Sequence, residues 1–253
     1  MIITILYQND DKKYKFNSFE EIINYDKVVY LDCSNNKLSV LSGLPDSLQT
    51  LNLINCSLSV LPKLPNSLQK FWCGHNQLCV LPELPNSLQI LYCNNNKLSV
   101  LPKIPNTLKE LYCISNRLIS LPELFEGLEK LWCQYNKISV LPELPNSLQY
   151  LDCNNNQLSV LPELPNSLEK LHCFANKLNI LPELPDSLQE LYCSGNQLSV
   201  LPELPNSLQQ LSCNYNQLSV LPELPNSLNL LRRHYNKLIK KIKHEYFIKM
   251  IYL

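Results

Sequence analysis

A unit of twenty residues repeats from residue 28 to residue 227 with no insertion or deletion, ten copies in all. An eleventh copy begins at Leu228 and loses the pattern after Leu238. Residues 128–147 read LEKLWCQYNKISVLPELPNS, and residues 148–167 read LQYLDCNNNQLSVLPELPNS. A fixed period of this length marks a solenoid, in which each copy is one coil and only its neighbours can cover its apolar side. The period divides the chain into an N-terminal cap at 1–27, a repeat array at 28–237 and a basic C-terminal segment at 238–253.

Within one copy the period-two alternation of Leu131 and Cys133 with Lys130, Trp132 and Gln134 predicts a short strand with one buried face. The return leg, Leu141-Pro142-Glu143-Leu144-Pro145, is governed by its prolines, which cannot donate to a ladder and fix φ near about −65°. An extended, polyproline-like leg follows. Asparagine holds the ninth position at Asn36, Asn76, Asn96, Asn116, Asn136, Asn156, Asn176, Asn196, Asn216 and Asn236. A tight turn leaves amides that a strand ladder cannot satisfy, and an inward carboxamide serves them. Cys56 replaces the asparagine in the second copy, so a weak rung is expected there.

The L-x-x-L-x-C-x-x-N-x-L spacing resembles the leucine-rich repeat, with cysteine in the third apolar slot. The short copy and its L-P-x-L-P return are similar to the bacterial subclass found in YopM- and IpaH-type effectors, and to arrays encoded by giant DNA viruses. The resemblance covers roughly residues 28–238. It implies an α/β repeat solenoid: a leucine-rich-repeat horseshoe with a parallel concave β-sheet, an extended convex side and few helices outside the caps. It also implies an inward asparagine that bonds its own and adjacent coils. Relatives of this subclass carry a helical hairpin as N-terminal cap. Residues 1–27 depart from that, reading as a hairpin (2–7 and 13–16) and a short helix opened by a Ser18/Glu21 capping box.

Nine of the eleven cysteines share one column: Cys33, Cys73, Cys93, Cys113, Cys133, Cys153, Cys173, Cys193 and Cys213. Leu53 fills the same slot in the second copy, which identifies a demand for a small buried apolar group. Side chains that point the same way oppose disulfide geometry, and a linear column gives no tetrahedral metal site. Reduced thiols, no metal, no cofactor and an intracellular setting are the expectations.

Variation concentrates on the outward strand positions. Between the two core residues, successive copies place Asp32, Asn52, Trp72, Tyr92, Tyr112, Trp132, Asp152, His172, Tyr192, Ser212 and Arg232. Both tryptophans of the chain lie in this column. Exposed aromatics dominate interface hot spots, so Trp72, Tyr92, Tyr112 and Trp132 form a candidate partner-binding stripe. Lys70, Ile90, Glu110, Lys130 and Ile114 flank it, and His172 and Tyr192 extend it. The competing reading is that stacked rings only stabilise the sheet across strands. Both stay open on the sequence alone.

Twenty-two basic and twenty-two acidic residues cancel, so net charge points to neither nucleic acid nor membrane. A row of Glu83, Glu123, Glu143, Glu163, Glu183, Glu203 and Glu223, interrupted by Lys63 and Lys103, reads as a solubilising face. From Leu228 onward seven basic residues face Glu245 alone. An amphipathic helix closing the last coil is expected there, with its basic face as the alternative contact for nucleic acid or acidic lipid. No apolar run reaches the roughly 20 residues of a membrane-spanning helix, and the opening Met1-Ile-Ile-Thr-Ile-Leu6 makes a poor signal peptide. The four histidines are scattered, and no nucleophile motif is present. About fifteen residues follow the array, so the ligase domain of IpaH-type proteins is expected to be absent. The expected function is a non-enzymatic scaffold that binds a partner protein, in a host–pathogen setting by resemblance. The alternatives are the basic C-terminus and a self-associating structural array.

Overall fold

The computed structural model describes residues 1–38, 41 and 43–238, and the chain divides into two compact units, Met1–Leu128 and Glu129–Leu253. In the first unit, β1 (Ile3–Tyr7) pairs antiparallel with β2 (Tyr14–Phe16) and with β3 (Val28–Asp32). Four parallel strands follow at twenty-residue intervals: β4 (Thr50–Asn52), β5 (Lys70–Trp72), β6 (Ile90–Tyr92) and β7 (Glu110–Tyr112). The second unit repeats the arrangement with β8 (Lys130–Trp132), β9 (Tyr150–Asp152), β10 (Lys170–His172), β11 (Glu190–Tyr192), β12 (Gln210–Ser212) and β13 (Leu230–Arg232), all parallel. Each unit is thus a parallel-strand β-solenoid, and among the described residues the only helical turns are 3-10 turns at Phe19–Glu21 and Tyr25–Lys27.

The core follows the repeat. Leu148, Leu151, Cys153, Leu158 and Leu161 are all buried, as are most of their equivalents, whereas Leu61 and, near the C-terminal end, Leu221 and Leu231 are half-buried. Each fully buried leucine contributes about 2 kcal/mol of transfer free energy. Ordering twenty backbone residues opposes this at about 1–2 kcal/mol each, so a coil is stable only through its neighbours. The thiol column is buried as expected, and all eleven cysteines are free.

Two side-chain ladders sew the coils together. Asn96 accepts the Leu78 N–H (3.0 Å) and donates to the carbonyls of Cys73, Cys93 and Asn94 (3.0, 3.1 and 3.3 Å). The second ladder was not read from the sequence. Where a copy ends in serine or threonine, as all but the one ending at Gly127 do, the hydroxyl donates back about one coil, as from Ser67 to the Asp46 and Leu48 carbonyls (2.6 and 2.7 Å) and from Thr107 to those of Asn86 and Leu88 (2.8 and 2.8 Å).

The turn after each strand uses a left-handed residue. Asn35, Asn55, His75, Asn95, Ser115, Tyr135, Asn155, Ala175, Tyr215 and Tyr235 have φ between 50° and 60°, and Gly195 has φ 63°. Asparagine and glycine tolerate this region, whereas alanine and tyrosine are strained in it.

At the weak rung the chain compensates. The Cys56 thiol donates to the Cys33 carbonyl at 3.0 Å, the bond that the carboxamide makes elsewhere. The Cys56 carbonyl accepts the Leu38 N–H at 3.0 Å, replacing the missing side-chain acceptor, and Ser57 adopts φ 60° next to it.

The N-terminal turn departs from the expected capping box. Phe19–Glu21 is a single 3-10 turn, and the Ser18 side chain caps none of its backbone N–H groups. The Glu21 carboxylate instead accepts the Asn17 N–H at 2.9 Å. The helix expected at the C-terminus falls, from Ile239 onward, outside the described residues.

Candidate functional site

Strand alternation sends the central residue of each short strand inward and its two neighbours outward. The inward set is Leu51, Phe71, Leu91, Leu111, Leu131, Leu151, Leu171, Leu191 and Leu211, all buried. The outward face therefore carries two columns in register. In the first unit these are Thr50, Lys70, Ile90 and Glu110 beside Asn52, Trp72, Tyr92 and Tyr112. In the second they are Lys130, Tyr150, Lys170, Glu190 and Gln210 beside Trp132, Asp152, His172, Tyr192 and Ser212.

In the first unit, Trp72, Ile90, Tyr92, Glu110, Tyr112 and Ile114 are half-buried and Lys70 is exposed. The Tyr92 ring lies over Gly74, in space that any Cβ at position 74 would occupy. It sits 5.7 Å from the Tyr112 ring. The Tyr112 hydroxyl donates to Glu110 at 2.8 Å, and burial together with this carboxylate raises its pKa. The Tyr92 and Tyr112 rings are thus laid side by side along the sheet.

In the second unit, Lys130, Trp132, His172 and Tyr192 are half-buried. The Trp132 ring packs on Tyr150 at 4.7 Å, and the His172 ring stacks on Tyr192 at 4.5 Å and 9°. Tyr150 stands between the pairs, edge-on to His172 at 5.3 Å, with its hydroxyl 3.2 Å from His172 Nδ1. Lys170 pairs with Glu190 at 2.7 Å. Burial holds His172 below the usual imidazole pKa, against the pull of Glu190. Burial also pushes the Asp152 carboxyl up to about 6.

Tyr150, Lys170 and Glu190 escaped the sequence reading, which gave Asp152 a place in the outward column but no role in the stripe. Their association needs the inter-strand register, which brings positions two residues apart in one copy beside both columns of the next. A row of exposed aliphatics was also missed. Val60 (74% exposed), Val80, Val100 and Ile119 line the first unit, and Val140, Val160, Ile180, Val200 and Val220 the second. The glutamates of the expected acidic row are all exposed.

Nothing here favours thiol chemistry. Burial pushes the thiols of Cys33, Cys93 and Cys213 up to about 12, and those of Cys73, Cys113, Cys153, Cys173 and Cys193 well above their ordinary value. A thiol held protonated inside a core is not a nucleophile.

Comparison with known proteins gives a consistent set. A model described as leucine rich repeats (2 copies) matches residues 126–166, and a single leucine rich repeat model matches residues 187–207. Among solved structures, YopM from Yersinia enterocolitica WA-314 is similar with a TM-score of 0.84 and 41% identity, over 85% of this chain and 48% of that one. The chain therefore spans about half the length of that YopM. A leucine-rich repeat domain of a Shigella effector shares 30% identity over 63% of this chain and 78% of its own, with a TM-score of 0.51. A leucine-rich repeat protein of Leptospira interrogans shares 27% over 85% and 69%, with a TM-score of 0.59. No curated protein sequence matches the chain.

Proposed function

We propose, from the premise that this chain belongs to the leucine-rich repeat family and is of the YopM-like kind, that it is a non-enzymatic scaffold holding a partner protein on the outward face of its sheet. The supporting observation is the ring-lined face itself. Trp72, Tyr92 and Tyr112 in the first unit, and Trp132, His172 and Tyr192 in the second, stand opposite the core. Large rings already held by their neighbours lose little freedom on docking, which is what an interface anchor needs. Lys70, Ile90, Glu110, Ile114 and Lys130 form the surround. Cross-strand packing of the rings is part of the same picture, since it pre-orders the anchors.

The host–pathogen setting is carried over from the relatives, of which one is a Shigella effector domain and another a Yersinia protein. The partner we propose is a protein of the host cell, met in the host cytoplasm. Among the described residues no helix is long and apolar enough to cross a membrane. Cross-linking of the full chain in host-cell extract, followed by mass spectrometry, tests the reading. Trp72→Ala and Trp132→Ala are expected to reduce capture of the partner by at least roughly tenfold each. Undiminished capture by both variants, with cross-links confined to other faces, would overturn it.

A further inference from the structure

The exposed aliphatic row takes no part in the ring-lined face. In the second unit Val140, Val160, Ile180, Val200 and Val220 hold the thirteenth position of consecutive copies and are between 48% and 61% exposed. The eleventh and fourteenth positions on either side turn into the core, as Leu158 and Leu161 do, which leaves the row facing solvent. One copy is one turn of the coil, so order along the copy is order around its rim. Three positions before the row stand Lys137, Gln157, Lys177, Gln197 and Gln217, all exposed. Three positions after it stand Glu143, Glu163, Glu183, Glu203 and Glu223, also exposed. No other charged residue lies between these two columns in any of the copies. The face is an apolar line with lysine and glutamine along one side and unbroken glutamate along the other.

Two properties identify what covers it. The first is its period. The row repeats once per coil, at about 4.8 Å, and a surface that meets it coil for coil needs the same rise. A second copy of this chain has that rise by construction. The outward columns change from copy to copy, whereas the aliphatic row stays nearly constant, and a self-matching patch is what a two-fold pair requires.

The second is charge. A two-fold axis parallel to the stack sets each coil against its own counterpart, and the glutamate column of one copy against the lysine and glutamine column of the other. Lys137 then faces Glu143 of the second copy, and Lys177 faces Glu183, each twice. Gln157, Gln197 and Gln217 face Glu163, Glu203 and Glu223, to which an amide donates. A two-fold axis across the stack would instead lay glutamate on glutamate along the whole row, which like-charge contact opposes. Charge therefore selects the parallel pair.

We propose that the row from Val140 to Val220 is a dimer surface, on which a second copy of the chain docks side by side and in the same direction. A contact about 24 Å long and about 20 Å wide covers about 500 Å² on each copy, less than the about 800 Å² of a standard specific interface. The pair is thus a weak one, with dissociation in the micromolar range. The ring-lined face occupies another part of the rim and stays open. Dimerisation adds to the scaffold reading without resting on it, and two open faces in one assembly would hold a repeated partner with avidity.

Sedimentation velocity of the full chain from about 5 to about 500 µM tests the surface. A reversible monomer–dimer equilibrium is expected. Val160→Ser combined with Ile180→Ser should weaken it at least roughly tenfold. The fold should tolerate these changes, because Ser120 already holds the thirteenth position of its copy and is exposed there; an unaltered circular dichroism spectrum checks this. Lys137→Glu with Lys177→Glu should also weaken the dimer, and adding Glu143→Lys with Glu183→Lys should restore it. In a Cys79→Ser background, Val160→Cys should form a disulfide-linked dimer on mild oxidation, since the parallel pair places that position opposite itself. A mixture of Val140→Cys and Val220→Cys chains should not link to each other. A monomer throughout the concentration range, a dimer undiminished by the serine variant, or linkage of position 140 to position 220 would overturn the proposal. Loss of partner capture by the Trp72 and Trp132 variants with dimerisation intact concerns the ring-lined face alone, so the two readings fail separately.

Discussion

Replacing Asn156 with alanine removes one rung of the carboxamide ladder, and the neighbouring bonds set its cost. The side chain accepts the Ile138 N–H at 3.0 Å and donates to the carbonyls of Cys133, Cys153 and Asn154, each at 3.1 Å. All three carbonyls keep another donor. Cys133 retains Asn136 at 3.0 Å, Cys153 retains Asn176 at 3.0 Å, and Asn154 retains the Tyr135 N–H at 3.0 Å. The Ile138 amide alone loses its acceptor, inside a buried turn. One orphaned amide costs about 1–3 kcal/mol, and the small void adds a few tenths, so the expected loss stays within about 1–3 kcal/mol. Repeat arrays can unfold in parts, so a single midpoint is an incomplete readout. Urea denaturation should therefore be paired with hydrogen exchange at Ile138, whose protection should fall with the stability of that coil. Asn156→Asp keeps an acceptor for Ile138 but sets ionised oxygen against three carbonyl oxygens, and should cost more than alanine at pH 7. A loss under about 0.5 kcal/mol for the alanine variant, with Ile138 still protected, would refute the ladder as a source of stability.

Three further outcomes follow from the same structure. Asp152 titrates near 6 in the fold and near about 3.9 when unfolded, so the native state holds the extra proton between these values and stability falls as pH rises through that window. Asp152→Asn should then be more stable than the parent by about 1–3 kcal/mol at pH 7.5 and indistinguishable at pH 4 in thermal melts; a pH-independent difference would contradict the burial argument. Ala175, at φ 52°, should gain about 0.5–1 kcal/mol on replacement by glycine or asparagine, while Gly195→Ala should lose a similar amount, both read from urea midpoints. Finally, in the native chain only Cys79 is exposed and the other ten thiols are buried. A thiol reagent should consume one equivalent quickly and the rest on denaturation, and a second fast equivalent would mean that the column is open.

How far the structure could be read in advance depended on where the information lies. A twenty-residue spacing of leucines carries its own burial pattern, so the strands, the buried thiols and the inward Asn76 or Asn156 were legible from one copy. The hydroxyl ladder of Ser67 and Thr107 was not, because serine and threonine after asparagine look like ordinary turn residues. The acceptors lie in the preceding coil. Cys56 illustrates the limit differently: a missing carboxamide was visible, but its replacement by the thiol and by its own carbonyl required a turned peptide beside Ser57. The Asp152 cluster depends on three strands in register and on which way Tyr150 turns. No single copy encodes that choice, since Tyr30 in an equivalent place donates to Asp32 instead.

Between repeat coils the bonds of the two ladders reach back 18 to 23 residues, and the first carboxamide, Asn36, reaches Ile2 in the cap. Within each unit, then, no thread of bonds ties distant coils directly, and tension applied at a terminus would be resisted by one seam at a time. Each seam that opens frees twenty residues, about 70 Å of slack at full extension. Drawn out in an optical trap, such a chain would lengthen in near-equal sawteeth, the mechanical echo of its twenty-letter spelling.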